Sequence, residues 1–307
     1  MDSNTAISEY RELLDSNENY TLTGQMDIIS NEELYHYDVE VSHMKDNYYK
    51  ATLVNKDNNY EQVILKNNDG VYVITPSLNK SFKFESEWPF NSSQAYILDS
   101  LLYDLENDSN VIFEESEEEY MLYSTVNYPN NSTLVSQKIT FDKEMIPKLV
   151  EVYDKDGIAD IVFKIINIDF EKELSTNDFA IESSVSEEIS ESVGTIDEVV
   201  YPMYLPTGTV FESEETVKTD QSERVILTFT GDKSFTLIEE VSALPSEFEI
   251  TSTPGELVFY ENVLGTLTET SLNWTMNGKD YYIISDNLTN EELLKVASST
   301  SVVSLTK

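Results

Sequence analysis

Two histidines are all the imidazole this chain carries, and they limit the acid–base chemistry it could host. His36 and His43 lie seven positions apart in a stretch whose apolar residues recur at every second position. An odd separation on a strand sends them to opposite faces, so without a bulge they cannot share one metal ion. Either could act alone as a general base. No G-x-S-x-G elbow, P-loop or G-x-G-x-x-G supplies it with a partner, and both read as surface or groove-lining residues. Carboxylates are abundant, with 58 Asp and Glu. A pair of them could cut a glycosidic bond, but with so many, nearness in sequence carries almost no information. The densest run, Glu114-Glu115-Ser116-Glu117-Glu118-Glu119, joins two strand-like segments. Hard oxygen ligands suit Ca²⁺, yet a turn of that charge is most simply a solvated hairpin tip. Asp154-Lys155-Asp156-Gly157 opens like an EF-hand loop but lacks the third acidic ligand and the later glutamate, so it is a turn. No catalytic residue, metal site or cofactor is expected.

The elements that would position these groups follow from periodicity. Ala6, Ile7, Tyr10, Leu13 and Leu14 form one apolar stripe of a short helix. From Tyr20 the period changes to two, and strand-like segments follow at 20–28, 35–41, 48–55, 60–66, 71–75 and 81–85, separated by polar turns. A helix over 93–107, capped by Asn91 or Ser92, gathers Leu98, Leu101, Leu102 and Leu105. Strands resume at 110–114, 120–128, 133–141, 146–153 and 159–168. Short connections mean antiparallel hairpins, and ten or eleven strands are enough to bend a sheet strongly. Ser183–Gly194 (SSVSEEISESVG) reads as an acidic linker. Beyond it a smaller β-rich unit has strands near 210–219, 223–229, 235–240, 256–261, 267–270, 272–276 and 280–284. It ends in a helix over 290–299, with Thr289 and Glu292 as a capping box. The expected class is mostly β (α+β), with domains at 1–182 and 195–307.

Composition narrows the roles. The net charge is −39, spread as −23 over residues 1–182 and −16 over 183–307. Such a surface repels phosphate and anionic lipid, which excludes nucleic acid as a partner. Solubility and self-repulsion explain the acidity most simply. There is no cysteine, hence no disulfide and no thiol chemistry. No apolar run approaches ~18 residues, and the opening Met-Asp-Ser-Asn is no signal peptide. The more informative feature is apolar. Tyr35, Tyr37, Val39, Val41, Tyr49, Leu53, Val63 and Leu65, beside the leucine-rich helix, would line the concave side of a bent sheet. Such a groove suits acyl chains or an apolar helix, and an ordinary filled core is the alternative.

A family resemblance bears on that choice. Asp69-Gly70-Val71-Tyr72-Val73-Ile74-Thr75-Pro76, then Lys80-Ser81-Phe82-Lys83-Phe84, Trp88-Pro89 and the leucine-rich helix, resemble the centre of LolA/RseB-like lipoprotein carriers. The style is closest to sporulation and germination lipoproteins of spore-forming Firmicutes, over residues 5–180. The C-terminal unit resembles a small domain of unknown function appended to such proteins, through Tyr204 to Gly208, Trp274, Gly278 and Tyr281. The resemblance implies a strongly curved antiparallel half-barrel whose concave face, covered by helices, receives lipid or lipoprotein acyl chains. It brings no catalytic residues. In regulatory relatives an added C-terminal domain contacts a protein partner. The matching positions Phe82, Phe84, Trp88, Leu98, Leu101 and Leu102 join Tyr35, Tyr37, Val39, Val41, Tyr49 and Leu53 as candidate ligand contacts, with packing of sheet on helix as their other role. The family's lipidated cysteine is missing. The resemblance therefore implies an extracytoplasmic protein of a Gram-positive envelope, its signal and lipid anchor removed. Two functions stay open: a binder of an apolar ligand, and a module that scaffolds or activates an exported partner.

Overall fold

A computed structural model describes residues 1–30, 33–185, 196, 198–218, 223–242 and 248–302. Most of the expected linker, from 186 to 194, lies outside the described residues. The chain forms two compact units, one of Met1–Ile74 and Ser86–Ser184, the other of Thr75–Glu85 and Val185–Lys307. It is mostly β, with one unclosed half-barrel, a second sheet and a helix near the C-terminus.

The first unit opens with helix α1 (Ser3–Asp15), whose Asp2 side chain caps it by accepting from Thr5 N at 2.8 Å. Five strands follow: β1 (Asn19–Ser30), β2 (Glu33–Met44), β3 (Tyr48–Asn55), β4 (Tyr60–Asn67) and β5 (Gly70–Thr75). Their turns are chemically legible. Asp46 and Asn47 hold φ of 69° and 66°, the left-handed values a tight hairpin needs, and Asn59 holds 56°. β6 (Lys80–Phe84) belongs to the second unit. The chain returns through helix α2 (Leu98–Asn107) to β7 (Ile112–Glu115), β8 (Tyr120–Thr125), β9 (Leu134–Phe141), β10 (Pro147–Asp154) and β11 (Ala159–Asp169). Within this unit the order is β5-β4-β3-β2-β1-β11-β10-β9-β8-β7. Two antiparallel meanders are thus joined where β1 pairs with β11. Because β5 and β7 stand at opposite edges, the connection carrying α2 has to cross a face of the sheet.

Curvature has identifiable causes. The β1–β11 register shifts between Thr23 and Gly24, and β10 is irregular against both neighbours. Bulges of this kind bend a sheet and increase its twist. At Gly24 an added Cβ would lie 2.5 Å from the Phe163 ring, so only glycine lets that ring lie on the strand.

Two expectations in this unit need correcting. The helix begins at Leu98, not Ser93: Ser93 N donates to Asn127 O at 2.8 Å and Gln94 N to Ser100 Oγ at 2.9 Å, which holds the chain ahead of Leu98 out of the helical ladder. Neither Asn91 nor Ser92 is its cap. Val63 and Leu65 do not share the face of Tyr49 and Leu53. The register sets Val63 opposite Thr52 and Leu65 opposite Lys50, so Ile64 and Lys66 take the inner positions.

The second unit has a seven-stranded antiparallel sheet of β13 (Thr209–Lys218), β14 (Glu223–Gly231), β15 (Phe235–Val241), β17 (Glu256–Tyr260), β18 (Val263–Leu267), β19 (Ser271–Met276) and β20 (Lys279–Ile284). Its order is β13-β14-β15-β20-β19-β18-β17. A short pair, β12 (Val200–Pro202) with β21 (Thr300–Val302), and a parallel pair, β16 (Glu249–Ser252) with β6, complete it. The strand expected at 267–270 is Val263–Leu267 instead, since Thr268 Oγ1 accepts from Ser271 N at 2.9 Å and turns the chain. Helix α3 (Asn290–Ser298) begins at the expected capping box, with Glu292 N donating to Thr289 Oγ1 and Thr289 N to Glu292 Oε2. Its Leu293, Leu294 and Val296 pack into a core with Leu237, Leu272 and Ile283. No helix among the described residues is long and apolar enough to cross a membrane.

Candidate functional site

Cross-strand register defines the inner face of the first unit residue by residue, because directly paired residues share a face. His43 pairs with Tyr49 and Tyr20, Val41 with Ala51 and Leu22, Val39 with Leu53 and Gly24, and Tyr37 with Met26. The series continues through Phe163, Val150, Ile139 and Leu122 on the far meander. Over it lie α1 and α2, with Tyr10 Oη donating to Leu98 O at 3.1 Å and its ring 5.0 Å from Phe141. Tyr37, Val39, Val41, Tyr49, Leu53, Trp88, Leu98 and Leu101 are all buried. Tyr35 and Leu102 are half-buried, and Tyr35 Oη donates to Glu33 Oε2. Phe82, half-buried, and Phe84, buried, belong to the second unit, where β6 pairs with β16.

One end of this face is polar and aromatic, and the spacing arguments did not single it out. Tyr20 Oη accepts from Leu98 N at 3.3 Å and donates to Asp99 Oδ2 at 3.1 Å, so a hydroxyl from β1 caps α2, whose own cap position, Ile97, has no side-chain oxygen. The His43 ring lies 5.0 Å from Tyr20 and stacks on Tyr49 at 4.4 Å. Tyr49 meets Trp88 and Phe90 edge-on at 6.1 and 6.2 Å. Lys66 Nζ donates to Trp88 O at 2.6 Å and sits 5.9 Å from the Phe90 ring centre. Burial drives the Tyr20 and Tyr49 hydroxyls well above the usual phenol range, with the Asp99 charge adding to it. Burial pulls His43 below the ordinary imidazole value against the opposing pull of Asp99. Its Nδ1 faces Tyr48 O at 3.1 Å, and a carbonyl can only accept, so that nitrogen carries the hydrogen. His36 is on the other face, with Nδ1 2.6 Å from Asp27 Oδ1. The two histidines thus part as their odd spacing demands.

At the opposite end of α2 a second polar group is buried. Gln137 Nε2 donates to Asp104 Oδ2 and to Ser124 Oγ, both at 3.1 Å. Burial pushes the Asp104 carboxyl up to about 6, and hydrogen bonds from Ser93 and Gln137 hold it back. Among the described residues no three His, Cys, Asp or Glu gather to hold a metal ion. His43 could have been placed inside from its parity with Val39 and Val41. Asp99 and Tyr20 left no such signal, because their partnership depends on where α2 starts.

The first unit, an unclosed antiparallel sheet with two helices over its inner face, has the half-barrel form expected from the resemblance to LolA/RseB-like carriers. The chain belongs to the family of the sporulation protein YdcC of Bacillus subtilis (strain 168). The two are 36% identical over 286 residues, which is 91% of this chain and 85% of the relative. Among solved structures the chain is similar in fold to MucB in the complex of Pseudomonas aeruginosa MucA and MucB. That match has a TM-score of 0.36 and 10% identity, covering 98% of this chain and 99% of that one. It is also similar to the LolA superfamily protein NE2245 of Nitrosomonas europaea, at a TM-score of 0.33 and 12% identity, over 60% of this chain and 99% of that one. No family model matches the chain.

Proposed function

We propose that the protein is a non-enzymatic, extracytoplasmic module that holds or activates an exported protein partner, such as a cell-wall enzyme, in a sporulating cell. One observation carries this reading. The inner face that could receive a ligand is occupied by the chain's own side chains, with Leu98 and Leu101 both at 0% exposure against the sheet. Function is then left to the outer surfaces. The acid–base groups fit a structural role, since Tyr20 and Asp99 join sheet to helix and His43 is bonded to Tyr48 O within the sheet. Kinship with a sporulation protein supports the cellular setting. The test is affinity purification of the tagged full chain from membranes of the sporulating host after mild cross-linking. Recovery of one exported protein at near-equal amount supports the reading, and repeated recovery of none overturns it.

A second reading keeps one observation in its favour. The inner face is largely apolar across eight strands and is closed by two helices, α1 and α2, that could lift together. In that reading an acyl chain of a lipid or lipoprotein would take their place. Native mass spectrometry of the gently purified protein distinguishes the two. Near-stoichiometric acyl species favour the ligand, and a clean apo mass with no uptake of added fatty acid rejects it.

A further inference from the structure

Among the described residues, the second unit ends its seven-stranded sheet in a strand that is paired on one side only. There β14 is the one described neighbour of β13. The opposite terminal strand, β17, has Leu257, Val258 and Tyr260 buried. In contrast, every residue of β13 after Thr209 is exposed or half-buried, and Val210, Phe211 and Val217 are 59%, 48% and 45% exposed. An edge of this length leaves a row of N–H and C=O groups able to pair with another chain. The register shifts between Phe211 and Ser213, after which the ladder is regular from Ser213 to Lys218. Phe211, 5.6 Å from Phe229 and 6.3 Å from Tyr201, continues the aromatic row of the core to the very edge.

Charge selects the occupant. Glu212, Glu214 and Glu215 lie along the strand, and among the described residues no basic side chain pairs with any of them. Glu214 accepts from the Tyr201 hydroxyl. Lys218, the one cation of the strand, is taken by Glu223 at 2.7 Å. A second copy of the same edge would bring glutamates against glutamates, and like charges across a ladder are destabilising. We propose that the β13 edge docks an extended, lysine- or arginine-rich segment of the exported partner as an added antiparallel or parallel strand. Main-chain bonds to Ser213–Lys218 supply affinity, and the glutamates supply the preference for cationic residues. This inference rests on the reading that the protein holds a protein partner.

The probe is a seven-residue peptide of alternating lysine and threonine, its binding to the full chain followed by fluorescence anisotropy. Two companions test the mode, one N-methylated at alternate amides and one with glutamate in place of lysine. The proposal expects binding at least tenfold weaker for both companions. It also expects at least a tenfold loss for the combined Glu212→Lys, Glu214→Lys and Glu215→Lys variant. The same charge change at Glu117, Glu118 and Glu119 should leave binding within twofold, and thermal melts confirm that both variants fold. Equal affinity for the N-methylated peptide, or equal loss in the two variants, would mean diffuse attraction to an acidic surface and overturns the docked strand. If a partner co-purifies undiminished with the β13 variant, the edge is excluded while the partner reading stands. If none co-purifies with the unaltered chain, that reading itself fails.

Discussion

Asp104 is buried and His43 half-buried on the inner side of the first unit, and desolvation moves their proton affinities in opposite senses. Asp104, raised from 3.8 to about 6, binds its proton more tightly in the folded chain than in the unfolded one. Its contribution therefore falls as pH climbs from about 4 to about 6, by at most ~3 kcal/mol at 1.36 kcal/mol per unit. Asp104→Asn keeps an oxygen for Gln137 Nε2 and should stabilise the protein by about 2 kcal/mol at pH 7. Urea unfolding at several pH values checks this, and the variant's curve should be flatter between pH 4 and 6. His43 runs the other way. Its folded value lies below the ordinary 6.5, so the unfolded chain takes up the proton first and stability is lost as pH falls below 6.5. His43→Phe keeps a ring for Tyr49 and Tyr20 to stack on and forfeits the bond to Tyr48 O, worth about 1 kcal/mol. It should melt slightly lower at pH 7.5 and lose less on acidification to pH 5.

For the elements, what a strand or helix is made of was easier to read than where it starts and which way it faces. Alternation in β2 put Tyr37, Val39 and Val41 on one side, and the structure buries all three together. The Thr289–Glu292 box marked the start of α3 because both bonds of that motif are local. β4 was different. Val63, Ile64 and Leu65 are all buried, so the strand offers no alternation from which a face could be chosen. Only its pairing with β3 decides. The start of α2 was hidden for a similar reason, since its cap is a hydroxyl 78 residues away. That arrangement makes a prediction. Tyr20→Phe should cost about 1–2 kcal/mol, comparable to removing an N-cap, and should loosen α2 more than β1. Hydrogen exchange tests it, with faster exchange expected in the first turn of α2 while β1 amides stay protected.

At the scale of the molecule, neither unit follows the order of the chain. The second takes residues 75–85 out of the middle of the first, and β6 finds its parallel partner in Glu249–Ser252. No sequence signal marks this, because Lys80–Phe84 reads as one more strand of a run. Lys80 reinforces the arrangement by pairing with Asp280 at 2.8 Å in a largely buried site of that unit. A fragment of residues 1–184 would carry β6 without β16. It should self-associate at micromolar concentration, whereas the same fragment with 75–85 replaced by a short glycine–serine link should stay monomeric. Sedimentation velocity separates the two cases. There is a consequence in time as well. A ribosome releases β6 long before residue 249, so the strand must wait while most of the protein is still being made. The finished second unit thus certifies that residues 249–302 have been made, and whatever docks on it meets only chains that carry them.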